Sequence, residues 1–135
     1  MAGGRENNQM AKQYAQIVGI VLLLLGVVGL VLGDPEPLFG ALNIDLVEDI
    51  VHLVLGAVFV YLGFANVDNA TVKTVVGAIG VVLLLVGIVG FISPTGFGLL
   101  THPWTVVDNI IHLLLGLLGI AVGFLLDRDT TVTVR

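Results

Sequence analysis

The chain has no cysteine, a single serine and only five basic residues, and each scarcity excludes something. Without cysteine there can be no disulfide, no thiolate metal site and no thiol nucleophile. Ser93 is the lone serine, and no phosphate-cradling Gly-rich loop, nucleophile elbow or HExxH pattern occurs, so the sequence reads as non-enzymatic. Five Lys and Arg make no basic patch, which removes the case for a nucleic-acid surface. Charged residues are 11% of the 135, against 57% hydrophobic residues and a mean hydropathy of +1.10. A soluble domain of this size cannot hide that much apolar surface from water.

The apolar residues fall into four runs: Gln13 to Gly33, Ile50 to Val67, Thr74 to about Ser93, and Ile110 to Leu126. Each approaches the ~20 residues that a helix needs to cross a ~30 Å hydrocarbon core. The runs are continuous rather than alternating, and a backbone in lipid must satisfy its own hydrogen bonds, so helices are expected rather than barrel strands. The first run follows a short charged segment like a signal peptide, but it lacks a small-x-small cleavage site and is expected to be retained. All five basic residues (Arg5, Lys12, Lys73, Arg128 and Arg135) flank one set of helix ends, while the two opposite loops hold six acids and no Lys or Arg. The positive-inside rule then places both termini and the central loop in the cytoplasm. The localisation implied is the cell inner membrane.

The chain also repeats itself. Val47-Glu-Asp-Ile-Val-His52-Leu-Val-Leu-Gly56 with Gly63-Phe64 recurs 60 residues later as Val107-Asp-Asn-Ile-Ile-His112-Leu-Leu-Leu-Gly116 with Gly123-Phe124. Gly19, Gly26 and Gly29 recur at Gly80, Gly87 and Gly90, and Phe39-Gly40 of one loop recurs as Phe97-Gly98 of the other. A duplicated two-helix unit accounts for this pattern. The expected fold is therefore an all-α membrane protein, four transmembrane helices built as two parallel-repeat hairpins related along the membrane normal. Its parts would be a disordered tail (1–11), a first hairpin (12–67), a second hairpin (68–127) and a C-terminal tail (128–135) whose last seven residues alternate weakly like a strand. Asp45 to Glu48 and Thr105 to Asp108 read as capping boxes that start the second and fourth helices. Trp104, Tyr14 and Tyr61 suit an interfacial aromatic belt.

His52 and His112 are the candidate functional residues, because an ionisable group inside a span is costly. They lie ~10 Å along their helices from the caps. Glu48 and Asp108 stand four residues before them and Asp49 and Asn109 three before, so each histidine has an acid or amide on its own helical face. Three roles stay open. The rings can fix helix packing through hydrogen bonds, ligate a haem or chlorophyll-type pigment with Gly56 and Gly116 giving clearance for a macrocycle, or move protons or ions. No metal ligand set is complete, since two histidines lack a third partner. The glycines Gly26, Gly29, Gly87, Gly90, Gly119 and Gly123 are expected to let helices approach closely, with Gly29/Gly33 and Gly119/Gly123 as GxxxG pairs.

At Val107-Asp-Asn-Ile-Ile-His112-Leu-Leu-Leu-Gly116-Leu-Leu-Gly119 the chain resembles a bacterial family of small four-helix membrane proteins known only as a domain of unknown function. The resemblance extends from Tyr14 to Leu126 and centres on an Asn-x-x-His-x-x-x-Gly helix. It implies an inner-membrane four-helix fold and no stated activity. Asp49 stands where that pattern has asparagine, so a role that needs the amide falls to Asn109 alone. The leading functional expectation is a non-enzymatic scaffold or accessory subunit that packs, within the lipid bilayer, against other membrane proteins or itself.

Overall fold

The computed structural model describes residues 9–33 and 37–126. Among them run four helices, α1 (Met10–Leu32), α2 (Leu46–Phe64), α3 (Asn69–Ile92) and α4 (Val106–Ile120), the last continuing into a π-helical turn at Ala121–Leu125. All four are long and apolar enough to span a bilayer when α4 is taken with its π turn, and the protein is a multi-pass membrane protein. Met10 and Ala11 are already helical, so α1 begins inside the segment expected to be a disordered tail. Residues 1–8 and the tail at 128–135, with its strand-like alternation, lie outside the described residues.

Local signals set the helix ends. Gly33 closes α1 in the left-handed region at φ 54°, its N–H donating to the Gly29 carbonyl, so it acts as a C-cap and not as half of a packing pair. Asp68 caps α3, accepting from the Thr71 N–H at 3.0 Å and its hydroxyl at 2.7 Å, and these bonds hold its carboxyl below the usual carboxylate range. Thr105 and Asp108 form the full capping box of α4. At α2 the box expected from Asp45 to Glu48 does not form: Asp45 caps the helix by accepting from the Val47 N–H at 2.9 Å instead of the Glu48 N–H, and the Glu48 side chain turns elsewhere. The π turn begins just before Gly123, where α4 meets Gly77 of α3 so closely that a methyl group on Gly123 would lie 2.5 Å from the Gly77 Cα.

Helix α1 packs along α2, and α3 along α4, through corresponding contacts. Gly19 faces Val60 as Gly80 faces Ile120, Gly26 faces Leu53 as Gly87 faces Leu113, and Gly56 faces Leu23 as Gly116 faces Leu84. Gly63 meets Gln16 and Gly123 meets Gly77 in the same relation. Removing the side chain lets the backbones approach, and van der Waals contact rather than water exclusion holds such pairs in lipid. Every glycine of the two repeated sets thus packs within its own hairpin.

The hairpins join at both ends and less in between. At the end where α1 begins and the π turn of α4 finishes, Ala15, Phe59, Val72, Val76 and Val122 form a core around Tyr14. Tyr14 is buried, lies edge-on to Phe59 at 5.7 Å, and donates its hydroxyl to the Leu115 carbonyl at 2.8 Å. It is a strut between α1 and α4 and not a belt residue, whereas Tyr61 is exposed as a belt residue would be. Truncating Phe59, which is fully buried, would cost about 3–5 kcal/mol. Lys12 and Gln16 of α1 reach the last carbonyls of the α2 end, Ala65 at 3.3 Å and Gly63 at 2.7 Å, where a cation or donor meets the negative end of the helix dipole.

Candidate functional site

At the opposite end, the two loops leading into α2 and α4 are tied to each other by carboxylates. Asp45 Oδ2 accepts the backbone N–H groups of Thr101 and His102, at 2.8 and 2.9 Å, from the second hairpin's loop. Burial pushes the Asp45 carboxyl up, but the N–H groups of His102, Val47 and Thr101 outweigh it together and hold the group below its ordinary value. Asp108 returns the favour to the first loop, accepting from Asn43 N–H at 2.9 and 3.1 Å, while Thr105 donates its hydroxyl to the Ala41 carbonyl. Each hairpin's cap residues therefore clamp the other hairpin's loop.

Glu48 breaks this reciprocity. Its Oε2 accepts from Asn43 Nδ2 at 2.6 Å and its Oε1 from Trp104 Nε1 at 3.0 Å. The Nε2 atoms of both histidines face the same Oε1, His52 at 3.8 Å and His112 at 3.6 Å, ion-pair distances longer than a direct hydrogen bond. The two imidazole side chains are 16% and 12% exposed, so they sit inside protein with one carboxylate between them. Trp104 lies edge-on to His112 at 5.9 Å.

This corrects the pairing expected from helical spacing. Asp108 is one turn before His112, yet its oxygens go to the loop and its own cap, and His112 pairs with Glu48 across the bundle. Asp49 and Asn109 are not histidine partners either. Both are buried and turned into their own hairpin, where Gly29 and Gly90 leave the space their side chains fill: a methyl group on either glycine would overlap the Asp49 carboxylate or the Asn109 amide. Gly56 and Gly116 are backed by Leu23 and Leu84 of the adjoining helices, so their missing side chains serve helix contact. A macrocycle bound through Nε2 of either ring would have to displace Glu48. Among the described residues no group of three His, Cys, Asp or Glu is disposed to hold a metal ion.

Sequence reasoning passed over Asn43 and His102 and read Trp104 only as an interface anchor. The available signal was their setting: polar side chains just ahead of the caps, in loops rich in acid and empty of Lys and Arg, where each carboxylate must find a neutral donor.

Below the cluster the hairpins part around a cavity of about 510 Å³. Leu22, Leu55, Leu83 and Leu115, one from each helix, line its body, and His52, His112, Glu48 and Trp104 line its loop end.

With this geometry described, comparison with known proteins adds one match. Residues 2–65, the first hairpin with the segment before it, match a family described as "Domain of unknown function (DUF4383)". That is consistent with the resemblance drawn from the second copy of the histidine motif. No curated protein and no solved structure matches the chain.

Proposed function

We propose that this protein is a non-enzymatic accessory subunit of the inner membrane, with both termini cytoplasmic, that docks other membrane-protein subunits through its loop end. The repeated helix glycines do not support that reading, because they are engaged within the hairpins. The observation that carries it is a pair of phenylalanines. Phe39 and Phe97, at matching positions in the two loops, adopt left-handed backbone angles of φ 55° and 58° and stand 92% and 76% exposed. That conformation costs a bulky L-residue about 1–2 kcal/mol, and strain held at an exposed aromatic tip is a mark of a contact made elsewhere. Two such tips on one end of a clamped loop pair suit an interface in which aromatic residues anchor.

A photoreactive phenylalanine analogue at position 39 or 97, activated in cells, tests the reading. One discrete protein adduct of reproducible mass is expected from both positions. Adducts to lipid alone would overturn it. A visible absorption band in the purified protein, lost on replacing His52 or His112 by leucine, would replace it with the pigment-binding reading.

A further inference from the structure

The cavity between the hairpins has an orientation. On α1 its lining extends from Ile17 to Gly29, a rise of ~18 Å along the helix, which is roughly the depth of one leaflet of a ~30 Å core. Its walls are aliphatic over that length, and its polar groups are gathered at the loop end. A volume of about 510 Å³ lies within the ordinary range for small-molecule sites. The shape suits an elongated apolar molecule with a polar head toward the loops.

The chemistry of the loop end selects the head. Its lining includes three carboxylate side chains, Glu48, Asp49 and Asp108, and no Lys or Arg, so an anionic head would meet like charges with no cation to offset them. Two of the three carboxylates are already met by neutral donors, Glu48 by Asn43 and Trp104 and Asp108 by Asn43 and Thr105, while Asp49 is packed against Gly29 within the first hairpin and is the one acid there that a cationic head could seek. Unmet capacity lies with the imidazoles. With each Nε2 turned to the Glu48 carboxylate, the ring proton belongs on that nitrogen and Nδ1 is left as an acceptor. Among the described residues, neither Nδ1 has a hydrogen-bond partner. Two neutral acceptors suit an uncharged donor such as a hydroxyl, which meets them once the rings turn, because both Nδ1 atoms are closed off from the cavity as the rings stand.

We propose that the cavity is a binding site for an uncharged, single-chain amphiphile with a hydroxyl head. Its chain lies among Leu22, Leu55, Leu83 and Leu115, and its hydroxyl sits at the His52 and His112 rings. This site stands independently of any docked subunit.

Trp104 is the only tryptophan and lines the site, so its fluorescence reads occupancy directly. The full chain, purified in detergent, is titrated with hexadecanol brominated beside its hydroxyl. Saturable quenching is expected, reversed by plain hexadecanol, with palmitate and hexadecylamine competing at least about tenfold more weakly, the factor that one lost polar complement carries. Val86→Phe, which adds bulk to the cavity wall, should abolish saturable quenching, while Leu114→Phe, on an exposed position outside the lining, should not change it. Replacing both histidines by leucine should erase the preference for hexadecanol over hexadecane. Quenching that never saturates, or that survives Val86→Phe in a folded protein, reflects bulk partition and overturns the site. Palmitate or the amine competing as well as the alcohol overturns the head chemistry. If Val86→Phe does not fold, the competition series on the parent decides the matter alone.

Discussion

Glu48 gives the sharpest test of what holds the loop end together. Replacement by glutamine keeps the size of the side chain and removes one acceptor oxygen. In the parent, two donors arrive at separate oxygens, Asn43 Nδ2 at 2.6 Å and Trp104 Nε1 at 3.0 Å, and Glu48 is buried. A carboxamide can receive only one of them, and its own NH₂ then points at the other. Stranding a buried donor costs about 1–3 kcal/mol. Hydrogen bonds between membrane helices average only about 0.6 kcal/mol in double-mutant cycles, with a maximum near 1.7. An acceptor whose two oxygens each hold a buried donor belongs at the upper end of that range, so Glu48→Gln should lose about 1–2 kcal/mol. The assay is reversible unfolding in mixed micelles followed by helical circular dichroism, for Glu48→Gln, Trp104→Phe and the pair. The cycle should return a coupling of about 1 kcal/mol or more. Additive losses, or a glutamine variant as stable as the parent, would refute the shared carboxylate as the clasp between hairpins.

Three further outcomes are expected. Gly116→Ala places a methyl group 2.5 Å from Leu84 N and 2.8 Å from the Gly80 carbonyl, both backbone, so overpacking should cost about 1–3 kcal/mol; lipid-facing Leu117→Ala, measured in the same micelles, should cost far less. Because the Asp45 carboxyl is held below its unfolded value of about 3.9, its contribution is full above that pH and fades as pH falls through the lower folded value. Asp45→Asn should therefore lower stability at neutral pH and flatten the acid limb of the stability curve; an unchanged limb would remove Asp45 from the acid response. Reporter fusions near residue 70 and at residue 135 should both read cytoplasm, since the basic residues flank those ends, and a periplasmic reading at either would reverse the orientation.

Hydropathy and local spacing were enough to determine four helices, their approximate ends and a membrane setting, because these depend on residues adjacent in the chain. A run of apolar residues must be helical in lipid wherever its neighbours lie, and Thr105 caps α4 through an atom three residues away. The glycines were legible as sites of close approach, but not their partners, since a bare backbone suits a helix of the same hairpin as well as that of another molecule. Tyr14 looked like a belt residue because its ring suits an interface, and only the packing of α1 on α4 offers its hydroxyl the Leu115 carbonyl. The histidines mark the limit most plainly. Helical spacing gave each ring an acid four residues earlier, and that rule worked for His52 with Glu48. It failed for His112, whose neighbour Asp108 is claimed by a loop 65 residues away. A carboxylate goes to whichever donors the tertiary structure strands near it, and burial makes that competition decisive. The apolar periodicity of this chain specified where the helices cross the membrane; only the meeting of its two hairpins decided that both histidines would share one acid above a common cavity.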